Sequence, residues 1–561
     1  MKIGHAWKAA FLSLKFLSFA PLVGGQQTPH QGHLLFLLQQ GEHEQALNIY
    51  QKEVQAHGEH DIELLHQMGL RILDHGFRQH NPECQLLALF GAAISAHEEA
   101  YYILEESLRS PYIPIQLVAL GALASFQNDR ADQALLRALG SPAFQVRYEA
   151  VYQLCKKKHL QAATQAESLM YKSPEALMTV FPPLFAMLED RHSTRILRRL
   201  LNQPSQDVRL AVVLSLAKYQ REDLLPQIRQ QSSQLHFALQ EAAAYACGSL
   251  GDETSIPKLQ RLALSQYPTV ALAAHLALYQ LGDEESIKAI EEMAERGDLF
   301  AIAALGDIPD RPRLLLELLE NPRLHIRFNA WISLLKQHHP EALESMEDFL
   351  IRDQKDLAFT LYESPGHVFK AWKVTSSASQ LLKEDVKAYH HHLELKESIL
   401  EKVRHLSEQR FIALAHQIFL KQQRDLIPRT VALLEALGTE QAIECLKEHQ
   451  QQLGAPFVRH YCLLALYRLK AAGPYADQLC QWVKERGQTE FIRFQPFSPW
   501  EWGQHSYTLT PEETSKLLIE VFEAFTLQQE IRGVEMLIEA MATGHPKNKY
   551  ALAGLLLRAI E

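Results

Sequence analysis

The chain predicts an all-α protein, a right-handed α-solenoid of stacked antiparallel helix hairpins, on the strength of three periodic observations. Cys84, Ile115, Val146, Leu177, Val208, Leu239 and Val270 recur at a fixed spacing of 31 residues, and all are apolar. Four residues on stand Ala88, Ala119, Ala150, Phe181, Val212, Ala243 and Ala274; four further come Ala92, Leu123, Leu154, Phe185, Leu216, Cys247 and Leu278. In a chain that is 47% apolar, agreement across those three columns arises by chance on the order of once in ten million trials. A fourth column, twenty residues after the first, reads Leu104, Leu135, Ala166, Leu197, Ile228, Leu259 and Ile290. Steps of four and eight mark one face of a helix, and the later column marks a second helix. A hairpin of that kind cannot bury its apolar face alone, so it must stack on its neighbours.

The N-terminal elements come first. Lys2 and Lys8 precede an apolar run, and small residues lead up to Gly25. Met1–Gly25 therefore resembles a secretory signal peptide, which would place the protein in an exported or periplasmic compartment. Lys15 interrupts the run, and the alternative is an amphipathic helix capping the array of a cytoplasmic protein. Residues 26–80 read as a helical cap. Leu34 to Tyr50, with Gly41 before Ala46-Leu47, resembles the first step of a tetratricopeptide unit. An array end exposes an apolar face and needs such cover.

Residues 81–345 form the regular array. In one block Leu239, Ala243, Cys247 and Leu250 share a helix face. Gly251 is suited to end that helix in the left-handed conformation. The Asp252 carboxylate is expected to cap a second helix over 255–264, near whose start Pro257 costs little. Polar-Pro pairs close each block: Ser110-Pro111, Ser141-Pro142, Ser173-Pro174, Gln203-Pro204 and Asn321-Pro322. An Arg follows the first column at Arg147, Arg209, Arg327 and Arg459. The register drifts after Asp307, so 346–394 is expected to be an irregular joint, centred on 366–394. A second segment, 395–490, resumes at Leu395, Leu426 and Val458. Residues 491–561 comprise an aromatic loop and a C-terminal helical cap whose first turn, Pro511-Glu512-Glu513, is acidic.

The sequence Val-Arg, an Ala/Leu-rich helix, Leu-Gly-Asp and a second helix opening with Ile-Pro resembles HEAT repeats. The likeness is to the short kind first associated with phycobilisome lyases. It covers 81–345 regularly and 395–490 more loosely. The resemblance implies that Arg147, Arg209, Arg327 and Arg459 pack between adjacent repeats, a structural role.

A net charge of −10 argues against a nucleic-acid partner, since a surface tracking phosphates is normally basic. Lys156-Lys157-Lys158 reads as a solvated helix end. No apolar stretch reaches transmembrane length. Cys84, Cys247 and Cys462 occupy columns held elsewhere by Ile, Leu or Ala, so they read as small buried hydrophobes. With no CxxC and no tight Cys/His spacing, no metal site or disulfide framework is expected.

Histidine is plentiful, yet the pairs His43-Glu44 and His97-Glu98 sit in different repeat contexts. Leu210, Phe328 and Tyr461 stand where a HEAT-repeat di-iron pattern would need ligands. His390-His391-His392 reads as a polar turn, because on a helix the three would point about 100° apart and could not share an ion. His57 and His60, interleaved with Glu59 and Asp61, read as a polar loop. Neither a Gly-x-Ser-x-Gly elbow nor a phosphate-binding glycine loop is present. Hence no catalytic residue, cofactor or metal is assigned.

The segment 491–502 breaks the repeat grammar. Two prolines forbid a continuous helix, and Phe491, Phe494, Phe497, Trp500 and Trp502 crowd it. These rings either cap the final repeat or anchor a partner. The function expected is a monomeric, non-enzymatic scaffold that binds another protein, one with basic segments, along a concave surface. The alternatives are an enzyme of the metal- or bilin-handling HEAT type and a structural component of an envelope assembly.

Overall fold

The computed structural model describes residues 29–343, 350, 358–363, 370–375, 386–487, 509–528 and 531–560. The N-terminal elements are α1 (Pro29–Gln40), α2 (His43–His57), α3 (Ile62–Arg78) and α4 (Pro82–Ser95). Then come α5 (Tyr101–Ser107), α6 (Ile113–Leu123), α7 (Asp129–Ala138), α8 (Phe144–Lys156), α9 (Ala162–Tyr171), α10 (Pro182–Ala186), α11 (Arg191–Leu200) and α12 (Gln206–Lys218). The array continues with α13 (Leu225–Gln231), α14 (Phe237–Ser249), α15 (Ile256–Leu262), α16 (Pro268–Gln280), α17 (Glu285–Glu295), α18 (Leu299–Leu305), α19 (Pro312–Leu318) and α20 (Leu324–Lys336). Even-numbered helices from α4 to α20 pack on one another in a continuous row, with the odd-numbered helices covering them. This is the α-solenoid that the 31-residue period predicts.

Every residue of the second column, from Ala88 to Ala274, is fully buried, and so is the fourth column from Leu104 to Ile290. The second column is mostly alanine because successive row helices approach closely there. At Gly248 on α14 a Cβ would meet the Ala277 Cα of α16 at 2.6 Å, which leaves room for glycine alone. The block holding Leu177 departs from the pattern. Pro182-Pro183 cannot supply amide hydrogens inside a helix, so a 3-10 turn, Glu175–Val180, precedes the short α10.

Left-handed residues end the row helices in register. Ala96, Lys158, Gln220, Gly251 and Gly282 all have positive φ, between 53° and 96°, and stand whole multiples of 31 apart. The conformation expected of Gly251 thus recurs where the residue is not glycine. The Asp252 expectation is corrected. Its carboxylate does not cap the next helix; it pairs with Arg229 Nε at 3.0 Å and accepts from the Thr254 hydroxyl at 2.6 Å. Buried among charged and hydroxyl donors, it finds stronger partners than the amides ahead of it.

The joint contains an element the periodicity did not announce, a two-stranded antiparallel hairpin. Strand β1 (Ala358–Glu363) pairs with β2 (Lys370–Thr375) in the register Phe359 to Val374 and Leu361 to Trp372. β1 lies against α18 and α20. The second segment comprises α21 (Val386–Leu406), α22 (Glu408–Leu420), α23 (Ile427–Leu437), α24 (Glu440–Gln450), α25 (Pro456–Arg468) and α26 (Tyr475–Gly487). β2 touches α21, and Lys402 Nζ on α21 reaches the Leu335 carbonyl at 3.5 Å, so the stack runs on across the joint.

The last three helices are α27 (Pro511–Leu527), α28 (Ile531–Thr543) and α29 (Lys549–Ala559). Thr510 and Glu513 form a reciprocal capping box at the acidic first turn of α27. α27 packs on α25 and α28 on α26, extending the stack. Then α29 packs against α3 and α4, while α28 packs against α2. The two ends of the array therefore meet, and the solenoid closes into a ring. A Cβ on Gly554 would stand 2.1 Å from the Gly91 carbonyl oxygen, and one on Gly91 2.2 Å from the Tyr550 carbonyl oxygen. The seam is fastened by Lys547 Nζ to Glu83 at 2.5 Å and by Lys549 Nζ donating to His43 Nδ1 at 2.8 Å. Closure removes the exposed apolar end that an open array carries.

Candidate interaction surface

The loops between hairpins are built by short-range hydrogen bonds. Ser110, Ser141 and Asn321 side chains each accept from the backbone N–H two residues on, at 3.2, 3.3 and 2.9 Å. This is why a polar residue precedes those three prolines; Ser173 instead donates back to the Leu169 carbonyl at 2.8 Å. The position after the first column clasps the same loop. Arg147 Nη1 donates to the Ser141 carbonyl at 2.7 Å and Arg327 Nη1 to Asn321 at 2.8 Å, each six residues back. Gln85, Gln116 and Gln240 make the same reach, to Gln79, Ser110 and Gln234. Arg209 instead donates across to the Gln234 side chain at 3.3 Å, and Arg459 is exposed on the first turn of α25.

A buried arginine outside the recurring motif does span repeats. Arg221 is 5% exposed, donates to the Thr194 hydroxyl at 2.7 Å and to Asp223, and reaches the carbonyls of Phe185 and Leu188. It stands in the column that holds Asp190, Asp252 and Asp283 elsewhere, so its signal was a charge reversal. On the covering helices, Glu105 is gripped by Arg130 and Arg137 at 2.7 and 2.5 Å. Two periods later Glu167 is gripped by His192 and Arg199 at 2.7 and 2.9 Å.

The histidine pairs do not converge. His43 is buried in the seam beside His75, whose ring centroid lies 4.7 Å away. Burial and the neighbouring Lys549 charge push its pKa down to about 3. His97 contacts His66 at 3.0 Å and caps the Glu99 amide. His57 bonds the Glu53 carbonyl at 2.9 Å, and His60 meets the Tyr50 hydroxyl at 3.2 Å. His390, His391 and His392 lie within α21 rather than in a turn. Cys247 and Cys462 are buried as expected; Cys84 is only half-buried. The expectation of no tight Cys/His spacing is corrected, because Cys445 and His449 stand one turn apart on α24.

Phe491, Phe494, Phe497, Trp500 and Trp502 lie outside the described residues. Another set of apolar side chains is exposed. Leu235 is 99% exposed and Leu264 87%, on the loops entering α14 and α16. Beside them Phe237 and Tyr267, 47% and 42% exposed, stack with centroids 5.5 Å apart, and His236 stacks on Phe237. Two adjacent repeats thus present one apolar ladder at the mouths of their row helices. Its signal was in the sequence: Tyr267 shares a column with Tyr112, and Phe237 shares one with Phe144.

The family model described as HEAT repeats matches residues 193–279, and the helices of that span are HEAT repeats. That match names no subtype. No curated protein matches the chain. Solved structures that resemble it include yeast importin-β (Kap95p), at 11% identity and a TM-score of 0.33, over 94% of this chain and 84% of that one. A second is Kap95p with RanGDP, at 13% identity and 0.30, over 89% and 69%. A third is an engineered protein, at 12% identity and 0.21, over 83% and 98%. Among the described residues no helix is long and apolar enough to cross a membrane.

Proposed function

For a HEAT-repeat solenoid closed on itself, we propose a role as a non-enzymatic scaffold that binds another protein. The carrying observation is the exposed ladder of Leu235, Phe237, Leu264 and Tyr267. Single exposed apolar residues are ordinary, but here four stand on adjacent loops and two of them stack ring on ring. Rigid aromatics lose little conformational entropy on binding, which suits them as anchors. The net charge of −10 favours encounter with a partner bearing basic segments, acting on rate more than on affinity. The aromatic segment 491–502 is proposed as a second anchor on the same partner, with the ring's surface as the framework between them.

The test is cross-linking and recovery of the partner from the native host, followed by the double variant Phe237→Ser, Tyr267→Ser. On this reading the partner is lost while circular dichroism and the thermal midpoint stay within a degree or so. Retention of the partner at wild-type yield would remove the ladder from the interface. A collapse of the thermal midpoint would make the rings part of the core.

A further inference from the structure

We propose that His416, Cys445 and His449 form a binding site for a divalent cation of the zinc class. Cys445 and His449 lie one turn apart on α24, so both face the same side of the helix. His416 reaches them from α22, the neighbouring helix in the stack. One ligand atom from each residue falls within 4.8 Å of the other two. His416 Nδ1 and His449 Nε2 are 2.9 Å apart. The other ring nitrogen of His449 faces the Gln452 side-chain oxygen at 2.9 Å. That oxygen can only accept, so Nδ1 carries the hydrogen and Nε2 presents its lone pair to the cluster. Metal-bound imidazoles are held by this kind of outer partner.

Two imidazoles and one thiolate suit zinc and its borderline neighbours rather than calcium or magnesium. Glu448, exposed, has Oε2 3.7 Å from His416 Nδ1 and stands where a fourth ligand would enter. Cys445 would bind as its thiolate, so its proton must leave. On binding, the sulfur bonds to the cation and that proton passes to water, which makes affinity rise with pH. Cys445 and His449 are each 2% exposed, and the Phe419 ring packs edge-on against His449, centroids 4.9 Å apart. The set is therefore shielded on the core side and open towards His416 and Glu448. A cation here would pin α22 to α24 in the second segment, away from both the ladder and the seam.

The experiment uses the full chain stripped with chelator and titrated with Co2+, then with Zn2+. The expected result is one Co2+ per chain with tetrahedral visible bands and a thiolate-to-cobalt charge-transfer band, both abolished by one equivalent of Zn2+. Cys445→Ser should lose the charge-transfer band and weaken binding by 100-fold or more. The half-exposed His416→Asn, a variant that disturbs the core little, should weaken it at least 10-fold with unchanged circular dichroism. No uptake by the wild-type chain would overturn the site and reduce the two rings to a hydrogen-bonded pair. Uptake without a charge-transfer band, or undiminished in His416→Asn, would assign the ion to surface histidines and overturn it equally.

Discussion

Gly554→Ala is the sharpest perturbation of the ring. The added Cβ would lie 2.1 Å from the Gly91 carbonyl oxygen and 2.7 Å from its Cα. Neither atom is a side chain that can swing aside, so α29 and α4 must separate by about 1 Å to restore van der Waals contact. Overpacking of this kind costs about 1–3 kcal/mol, and a backbone-on-backbone clash belongs at the upper end. A cost of about 3 kcal/mol shifts the closed-to-open equilibrium by roughly 150-fold. Each repeat contacts only its neighbours, so the rest of the array should stay folded. Small-angle scattering reads the outcome. Roughly a dozen steps between row helices, at 8–10 Å each, give a contour on the order of 120 Å. Closed, that is a ring about 40 Å across at the helix axes; opened, the radius of gyration and maximum dimension should both rise, with helical content unchanged. Scattering indistinguishable from wild type in a folded Gly554→Ala variant would refute the packing argument.

Three further outcomes follow from the same geometry. Arg221→Met removes the hydrogen bonds to four backbone or hydroxyl acceptors and to the Asp223 carboxylate, and should lower stability by about 3 kcal/mol in a denaturant titration. Gly251→Ala, at φ +67° with open space around its Cβ, should cost about 1 kcal/mol through backbone strain alone, while Lys158→Gly in the same column should gain about as much. Acid should open the seam, because His43 accepts from Lys549 only while neutral. Its pKa is near 3 when closed and about 6.5 when exposed, so the stabilisation is complete above pH 6.5 and drains away as pH falls towards 3. At pH 5 the loss is about 2 kcal/mol, measurable as expansion in scattering that the His43→Gln variant should not show.

The repeated part of the fold was legible because stacking forces the same residue class into the same slot. Ala88 through Ala274 are buried together for the reason that made them recur. Polar-Pro punctuation was legible too, since Ser110 and Asn321 act within two residues of themselves. What lay beyond reach was contact without a period. Gly91 meets Gly554 once, and no column repeats that pairing. The hairpin over 358–375 lies in the joint, where helix spacing had already lapsed. Arg147 drew notice by recurring, yet it clasps its own loop; Arg221 occurs once in its column and holds two repeats together. The ladder was half legible. Phe237 and Tyr267 share columns with other aromatics, but only packing reveals that they stack and remain exposed.

Closure is the claim on which the shape depends, and two native residues test it directly. Lys547 and Glu83 are 464 positions apart in sequence, with Nζ and Oε2 2.5 Å apart in space. A zero-length carbodiimide cross-link between them, located by peptide mass spectrometry in material of monomer mass, should form in high yield and fall sharply in Gly554→Ala. A monomer fraction without that linkage, while shorter-range pairs such as Arg-free Lys288 with Glu285 do couple, would contradict the closed ring.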